Sequence, residues 1–356
     1  MKFRLLKIFF IFYYLLFFLI INNYRKNDHK IKIGIFGCRH DINIGNYLIK
    51  FAMHIKLKEL GYDPYVVTTN HLNVNISFIN HTTNIILIKN YSQIKENDFD
   101  ILLVNSDQTW RKWDEYFYDC GFLKFAEKWN KLKFVYGASL GFDYWDFNQN
   151  DEKIIKPLLK DFSDISVRER GSIKLIQAHL NIIPKFVLDP TLIIDKKYYL
   201  DLIKNYNDNN QNISNYIFLY GLYTLEPNMK LLINKVKNEL NYDIHDFNLN
   251  NNSLVEDFIY YLKNSKGVIT NSYHCTIFSI IFNRPFITFN YEHTGIERIK
   301  SLSELLGFEN RIVYNRQNAN ISLLKIPLEI NNITLNHEKI ESINYLKKNL
   351  NLYKIK

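Results

Sequence analysis

Residues 31–37 read IKIGIFG, and this run decides the fold. It is apolar, ends in glycine and has the length of a strand buried on both faces. Downstream, Leu48, Phe51, Ala52, Ile55 and Leu60 recur at helical spacing between Asn46 and Leu60, and Gly61 supplies a stop. YVVT at 65–68 then starts a second strand. Strand, turn, helix, strand is the opening of a parallel α/β sheet.

Further apolar runs at 85–88, 101–104, 134–137, 165–167 and 186–188, with helical segments between several of them, predict a doubly wound first lobe over residues 31–204. The polar stretch NYNDNNQNISN at 205–215 reads as a linker. Alternation then restarts. Strands are expected at 216–220, 242–247, 267–270 and 286–289, and helices at 228–240, 254–263 and 276–282, in a second lobe over 216–330. A helix from Glu338 to Leu352 closes a tail over 331–356. The fold class is α/β, with two Rossmann-like lobes and a ligand cleft between them, where ligands meet the carboxyl ends of strands.

Upstream, Ile8–Ile21 reads IFFIFYYLLFFLII without a charge, and residues 5–22, the expected membrane segment, are apolar apart from Lys7 and Asn22. An apolar run on every face is not an ordinary surface helix, and Asn22–Arg25 offers no small-residue cleavage site. Residues 1–30 are therefore expected to form an N-terminal hydrophobic helix and stem, a single-pass membrane anchor. Lys2, Arg4 and Lys7 precede the run and Arg25, Lys26 and Lys30 follow it, so charge leaves the side open, lumenal Golgi-type or cytoplasmic. Sequons at Asn75, Asn80, Asn90, Asn212, Asn251, Asn320 and Asn332 suit a lumenal domain.

The net charge of +9 arises from 45 basic and 36 acidic residues spread along the chain. No concentrated basic stripe marks a nucleic-acid partner; an anionic substrate fits the excess as well as general solvated charge does. Cys38, Cys120 and Cys275 lie far apart, form no metal-type pair and read as small buried residues.

Five polar groups follow strands. Gly45 and Asn46 lie in NIGN (43–46), where backbone N–H groups at a helix start can approach an anion or simply cap the helix. Ser106, Asp107 and Gln108 lie in NSDQTW (105–110), a lining for a sugar or cofactor, or a cap with a packed Trp110. Ser139 lies in YGASLG (136–141). Arg168 and Glu169 lie in SVRER (166–170), where the guanidinium can fork onto a carboxylate or phosphate or join an ion pair. Ser272, His274 and Thr276 lie in TNSYHCT (270–276), with His274 at a helix start as a catalytic group or a structural hydrogen bonder.

In order and spacing these segments resemble the polysaccharide pyruvyltransferase family. The matching pieces are NIGNYLIKFAM (43–53), NSDQTW, ASLG (138–141), VRE (167–169), LDPT (188–191) and TNSYHCT, then FSIIFNRPF (278–286), over roughly residues 31–312. Ile49 stands where the pattern has Gln, Asn105 and Cys275 where it has Gly, and Asn271 where it has Asp.

The resemblance implies a GT-B-like enzyme that moves the enolpyruvyl group of phosphoenolpyruvate onto a sugar hydroxyl pair, forming a pyruvate ketal in glycan biosynthesis. The co-substrate is phosphoenolpyruvate, with no further cofactor and no metal. His274 would be the general acid and Arg168 the clamp on the donor anion. Ser272 and Thr276 would bond its phosphate, and Gly45, Asn46, Asp107 and Gln108 would shape the acceptor face. A nucleotide-sugar glycosyltransferase and a catalytically inactive carbohydrate-binding relative are the alternatives.

Overall fold

The computed structural model describes residues 30–37, 43–69, 82, 84–112, 116–206, 215–222, 225–247, 254–291, 295–314 and 317–355. Residues 1–29 of the expected anchor and stem over 1–30, and most of the linker, lie outside these. Among the described residues no helix is long and apolar enough to cross a membrane.

The first lobe runs β1 (Lys32–Phe36), α1 (Ile44–Glu59), β2 (Asp63–Thr69), β3 (Ile85–Ile88), β4 (Ile101–Val104), α2 (Phe117–Phe122), β5 (Leu132–Ala138), α3 (Gln149–Leu159), β6 (Asp164–Val167), α4 (Arg170–Leu180) and β7 (Lys185–Phe186). Its seven strands are parallel in the order β3-β2-β1-β4-β5-β6-β7. The order reverses between β1 and β4, the switch point at which such sheets open a crevice. β4 and β5 are buried at every position, which is why ILLV and LKFVYGA carry apolar side chains on both faces.

Two short helices, α5 (Pro190–Ile193) and α6 (Lys196–Leu202), lead to the second lobe. It contains β8 (Tyr216–Tyr220), α7 (Pro227–Lys235), β9 (Asp243–Asp246), α8 (Val255–Asn264), β10 (Gly267–Thr270), α9 (Tyr273–Ile281), β11 (Phe286–Asn290), α10 (Ile296–Leu306) and β12 (Ile312–Tyr314). These strands are also parallel, ordered β12-β11-β10-β8-β9, with the switch between β8 and β10.

The tail helix, α11 (Asn332–Ile355), is longer than expected and crosses back to the first lobe. There Tyr345 Oη donates to the Val135 carbonyl at 2.8 Å, the Leu188 N–H donates to Ser342 Oγ at 2.8 Å, and Lys348 pairs with Asp164 at 2.9 Å. One apolar core joins α1, the first sheet, α8, α9 and α11. Within it Phe51 meets Tyr199 at 6.2 Å and Tyr199 meets Phe278 edge-on at 4.8 Å, an aromatic chain that ties α1 to α9. The lobes are also latched at α4. Its Arg170 and Gly171 N–H groups donate to Ser301 Oγ at 2.9 Å and Glu297 Oε1 at 3.1 Å on α10. A carboxylate suits that helix start, where backbone donors and the helix dipole favour negative charge.

Candidate active site

Both switch points face the same seam. α1 begins after the Asn43 cap, whose side chain accepts from the Gly45 N–H at 2.9 Å. α9 begins after the Ser272 cap, which accepts from the Cys275 N–H at 3.4 Å. The two starts touch: a Cβ placed on Gly45 would overlap the His274 imidazole, 2.5 Å from its Cγ. Glycine is required there by the approach of that ring.

On its other side the His274 ring meets Asp189. Nε2 lies 3.6 Å from Asp189 Oδ2, too long for a good hydrogen bond but within strong Coulombic range. Asp189 follows the first-lobe sheet and caps α5, its Oδ1 accepting from the Thr191 N–H at 3.0 Å and from Thr191 Oγ1 at 2.6 Å. Burial pushes the Asp189 carboxyl up, but the His274 contact and the Arg168 charge outweigh that and hold it well below the usual carboxylate range. It is an ionised group facing the imidazole.

Arg168 is the hub of this cluster. Nη1 donates to Asp189 Oδ2 at 2.5 Å, Nη2 to Asp107 Oδ1 at 3.0 Å and Nε to Glu169 Oε1 at 3.3 Å. Its guanidinium lies 4.6 Å from the Tyr273 ring centroid, and its side chain is 0 % exposed. Burial lowers the pKa of a guanidinium, yet the surrounding acids, Asp189 foremost, raise this one. The clamp on a donor anion expected from the sequence therefore meets an obstacle in the geometry. The fork is committed to three protein carboxylates, and releasing them inside the protein is expensive.

The loop after β4 is strained. Asp107 has φ +96°, a region that side-chain-bearing residues rarely adopt. It is held by an isolated bridge to Ala138, by the Ser139 N–H donating to its carbonyl at 3.0 Å, and by Asn46 Nδ2 donating to Oδ2 at 3.3 Å. Burial would raise its pKa, but Arg168, His274 and Arg298 pull it below the ordinary value. Glu169 goes the other way: burial keeps its pKa raised despite Arg168.

The remaining expected residues divide. Ser106 Oγ donates to the Gly137 carbonyl at 2.8 Å, and Ser139 Oγ accepts from the Gly141 N–H at 3.1 Å, so both brace the loops. Gln108 Oε1 accepts from Arg111 Nη1 at 2.8 Å. Thr276 Oγ1 donates to the Ser272 carbonyl at 2.9 Å, lies 2.8 Å from Thr288 Oγ1 and is fully buried, which turns it away from a phosphate. Trp110 is packed, its Nε1 donating to the Gly121 carbonyl at 2.8 Å.

Two of the four departures from the family pattern have a plain geometry. Asn271 Oδ1 accepts from the Leu222 N–H at 2.7 Å, as an aspartate would, while its buried Nδ2 has no hydrogen-bond partner among the described residues. Cys275 is buried in the apolar core rather than in the cleft, and burial pushes its thiol pKa up. Cys120 is buried, as expected, and is disulfide-bonded, which the sequence reading did not include.

Sequence reasoning missed two charged members. Asp189 appeared only as a letter of LDPT, and Arg298 not at all. Arg298 is buried on α10, its guanidinium 5.5 Å from the Tyr273 ring, and its charge acts on Asp107 and Glu169. Its signal was its place in the first turn after a strand-to-helix loop of the second lobe. Among the described residues no group of three or more His, Cys, Asp or Glu is arranged to hold a metal ion.

A family model described as polysaccharide pyruvyl transferase matches residues 43–293. No curated protein matches the chain. Solved structures with the same two-lobed GT-B-like fold include a UDP-bound MnaA from S. aureus, at 14% identity, TM-score 0.53, and 83% and 86% coverage of this chain and that one. The UDP-GlcNAc 2-epimerase from Methanocaldococcus jannaschii gives 15%, 0.53, 83% and 90%. The Neisseria meningitidis UDP-GlcNAc 2-epimerase bound to UDP-GlcNAc gives 11%, 0.52, 90% and 92%. At these identities the likeness is one of fold.

Proposed function

Because the chain belongs to the polysaccharide pyruvyl transferase family, we propose that it transfers the enolpyruvyl group of phosphoenolpyruvate to two hydroxyls of a sugar, with His274 as proton donor. The observation that carries this reading is the placing of His274. Its imidazole sits at the seam of two switch points, pressed on Gly45 and facing the Asp189 carboxylate. An oriented imidazole near neutral pH is a good proton-transfer group.

The imidazolium protonates the methylene carbon of the enol, leaving a cationic centre at C2. A sugar hydroxyl attacks C2 and its proton passes to the imidazole. The C2–O bond to phosphate then breaks, a second hydroxyl closes the ketal, and its proton leaves with the phosphate. Atoms and charge balance without an oxidant. The donor anion is assigned to the start of α9, where the helix dipole favours negative charge and the buried Asn271 Nδ2 offers an N–H without a partner among the described residues. Arg168 is assigned to holding Asp107, Glu169 and Asp189 in register, a positioning role. Asn46 and Gln108, on the first-lobe face of the seam, are assigned to the acceptor side.

Because two of the solved neighbours, of similar fold, are bound to UDP or UDP-GlcNAc, the test pits the two donors against each other. The full chain in detergent is melted with phosphoenolpyruvate or with UDP-GlcNAc, and phosphate release is followed with a panel of galactosides. Stabilisation by phosphoenolpyruvate and acceptor-dependent phosphate release are expected. Stabilisation by UDP-GlcNAc alone would favour a nucleotide-sugar glycosyltransferase, and sugar binding without turnover of either donor a catalytically inactive carbohydrate-binding relative.

A further inference from the structure

The loop that leaves β5 reads FDYWDF at 142–147, and its aromatic rings separate into two sets. Two are anchored. Trp145 stacks on His179 with centroids 4.5 Å apart and planes 7° apart, and its Nε1 donates to Glu152 Oε1 at 3.0 Å. Phe147 is buried against Phe117 and Phe122. The other two are not drawn inward. Phe142 and Tyr144 lie nearly parallel, 4.7 Å apart at 18°, with the Arg111 guanidinium 4.0 Å from the Phe142 centroid. The stack therefore runs Arg111, Phe142, Tyr144, and Tyr144 at its end is 53% exposed.

The stack is rooted at the seam. Phe142 follows Gly141, whose φ of +79° turns the chain. The Gly141 carbonyl abuts the start of α10, 2.6 Å from where a Cβ on Gly295 would stand. Gly141 also packs against Gln108, the neighbour of Asp107 and the acceptor of the Arg111 N–H. One short loop thus connects the buried ionic cluster to an outward pair of rings. Trp145 and Phe147 hold that loop in place, so the pair needs little ordering when a ligand arrives.

The chemistry of the loop selects the ligand. A flat, exposed aromatic face takes an apolar face, and Tyr144 adds a polar tip. Asp143 and Asp146 alternate with the rings and are exposed, presenting carboxylates that accept hydrogen bonds. A pyranose has both surfaces: a C–H face to lie on the ring and hydroxyls at its edge to donate to the carboxylates. Those same carboxylates repel an anionic sugar and a nucleic-acid backbone.

We propose that Phe142 and Tyr144 form an acceptor subsite that stacks a neutral pyranose of the glycan, next to the unit that receives the pyruvyl group. This rests on the glycan-acceptor part of the proposed function but not on the donor chemistry. The test is saturation-transfer NMR on the full chain in detergent, with lactose, methyl β-galactoside and methyl β-glucoside as probes and no donor present. At least one neutral sugar is expected to bind, at least tenfold more weakly in Tyr144→Ala, with Tyr144→Phe close to the parent. Ile183→Ala, which trims another exposed side chain, serves as the control and is expected to bind as the parent does. Equal binding by Tyr144→Ala and the parent overturns the subsite, and so does the lack of any Tyr144-dependent binding across the probes. Tyr144-dependent sugar binding by a protein that never consumes phosphoenolpyruvate would refute the transfer reaction and leave the subsite standing.

Discussion

Gly45→Ala tests how tightly His274 is held. The added Cβ would stand 2.5 Å from Cγ and 2.9 Å from Cβ of His274, where carbon atoms normally rest about 3.5–4.0 Å apart. Relief demands a displacement of about 1 Å. Backbone lies on the α1 side, so the imidazole is the part that moves. A 1 Å misplacement of a reacting group costs on the order of 100-fold in rate. Stability moves less, because overpacking costs about 1–3 kcal/mol while alanine is favoured over glycine in a helix by about 1 kcal/mol. The assay is acceptor-dependent phosphate release from phosphoenolpyruvate, with thermal unfolding measured on the same samples. The expected result is a fall in kcat of about 100-fold with a melting temperature lowered by only a few degrees. Gly61→Ala is the comparison, since its Cβ meets nothing within 4 Å and only its φ of +89° is disfavoured; it is expected to keep full activity. A Gly45→Ala protein whose kcat stays within about threefold of the parent, against that 100-fold expectation, would refute the idea that imidazole position limits the reaction.

Arg168→Ala leaves Asp107, Glu169 and Asp189 buried without their shared cation and is expected to cost about 3–5 kcal/mol, read by denaturant unfolding. A donor clamp would instead raise KM for phosphoenolpyruvate with stability unchanged. His54, buried on α1, has its pKa lowered by burial, then by Lys58, to about 4 from 6.5. Between those values the unfolded chain binds a proton that the folded chain does not. Stability therefore falls as pH drops from 6.5 toward 4, by as much as about 3 kcal/mol, and His54→Gln should flatten that slope in a pH series of melts. The apolar N-terminal run is expected to carry the full chain into the membrane fraction, and removal of residues 1–30 to release it, as read by ultracentrifugation.

The sheets were legible because parallel strands covered on both faces must be apolar throughout. IKIGIFG, ILLV and GVIT each announce a strand without reference to the rest of the chain. The short strand IVY at 312–314 and the helix at 149–159, which begins with QNDEK, carried no comparable signal. The motif residues did converge, but sequence order conceals who pairs with whom. Asp107, Glu169 and Asp189 are each 1 to 61 positions from Arg168, and only folding brings all three carboxylates onto one guanidinium. A guanidinium at a strand end reads equally as a ligand clamp or an ion pair, and in the fold its neighbours are three carboxylates. Gly45 reads as an anion-binding turn or an ordinary helix cap; in the fold it also meets the ring of His274, which arrives from 229 positions further along the chain.

The central claim, proton delivery by His274 to phosphoenolpyruvate, is met most directly by product analysis with donor labelled with carbon-13 at C2. The full chain, the donor and the acceptor panel should yield a ketal carbon signal attached to sugar, lost in His274→Ala although the variant stays folded. A ketal formed at the parental rate by a folded His274→Ala protein would contradict the account.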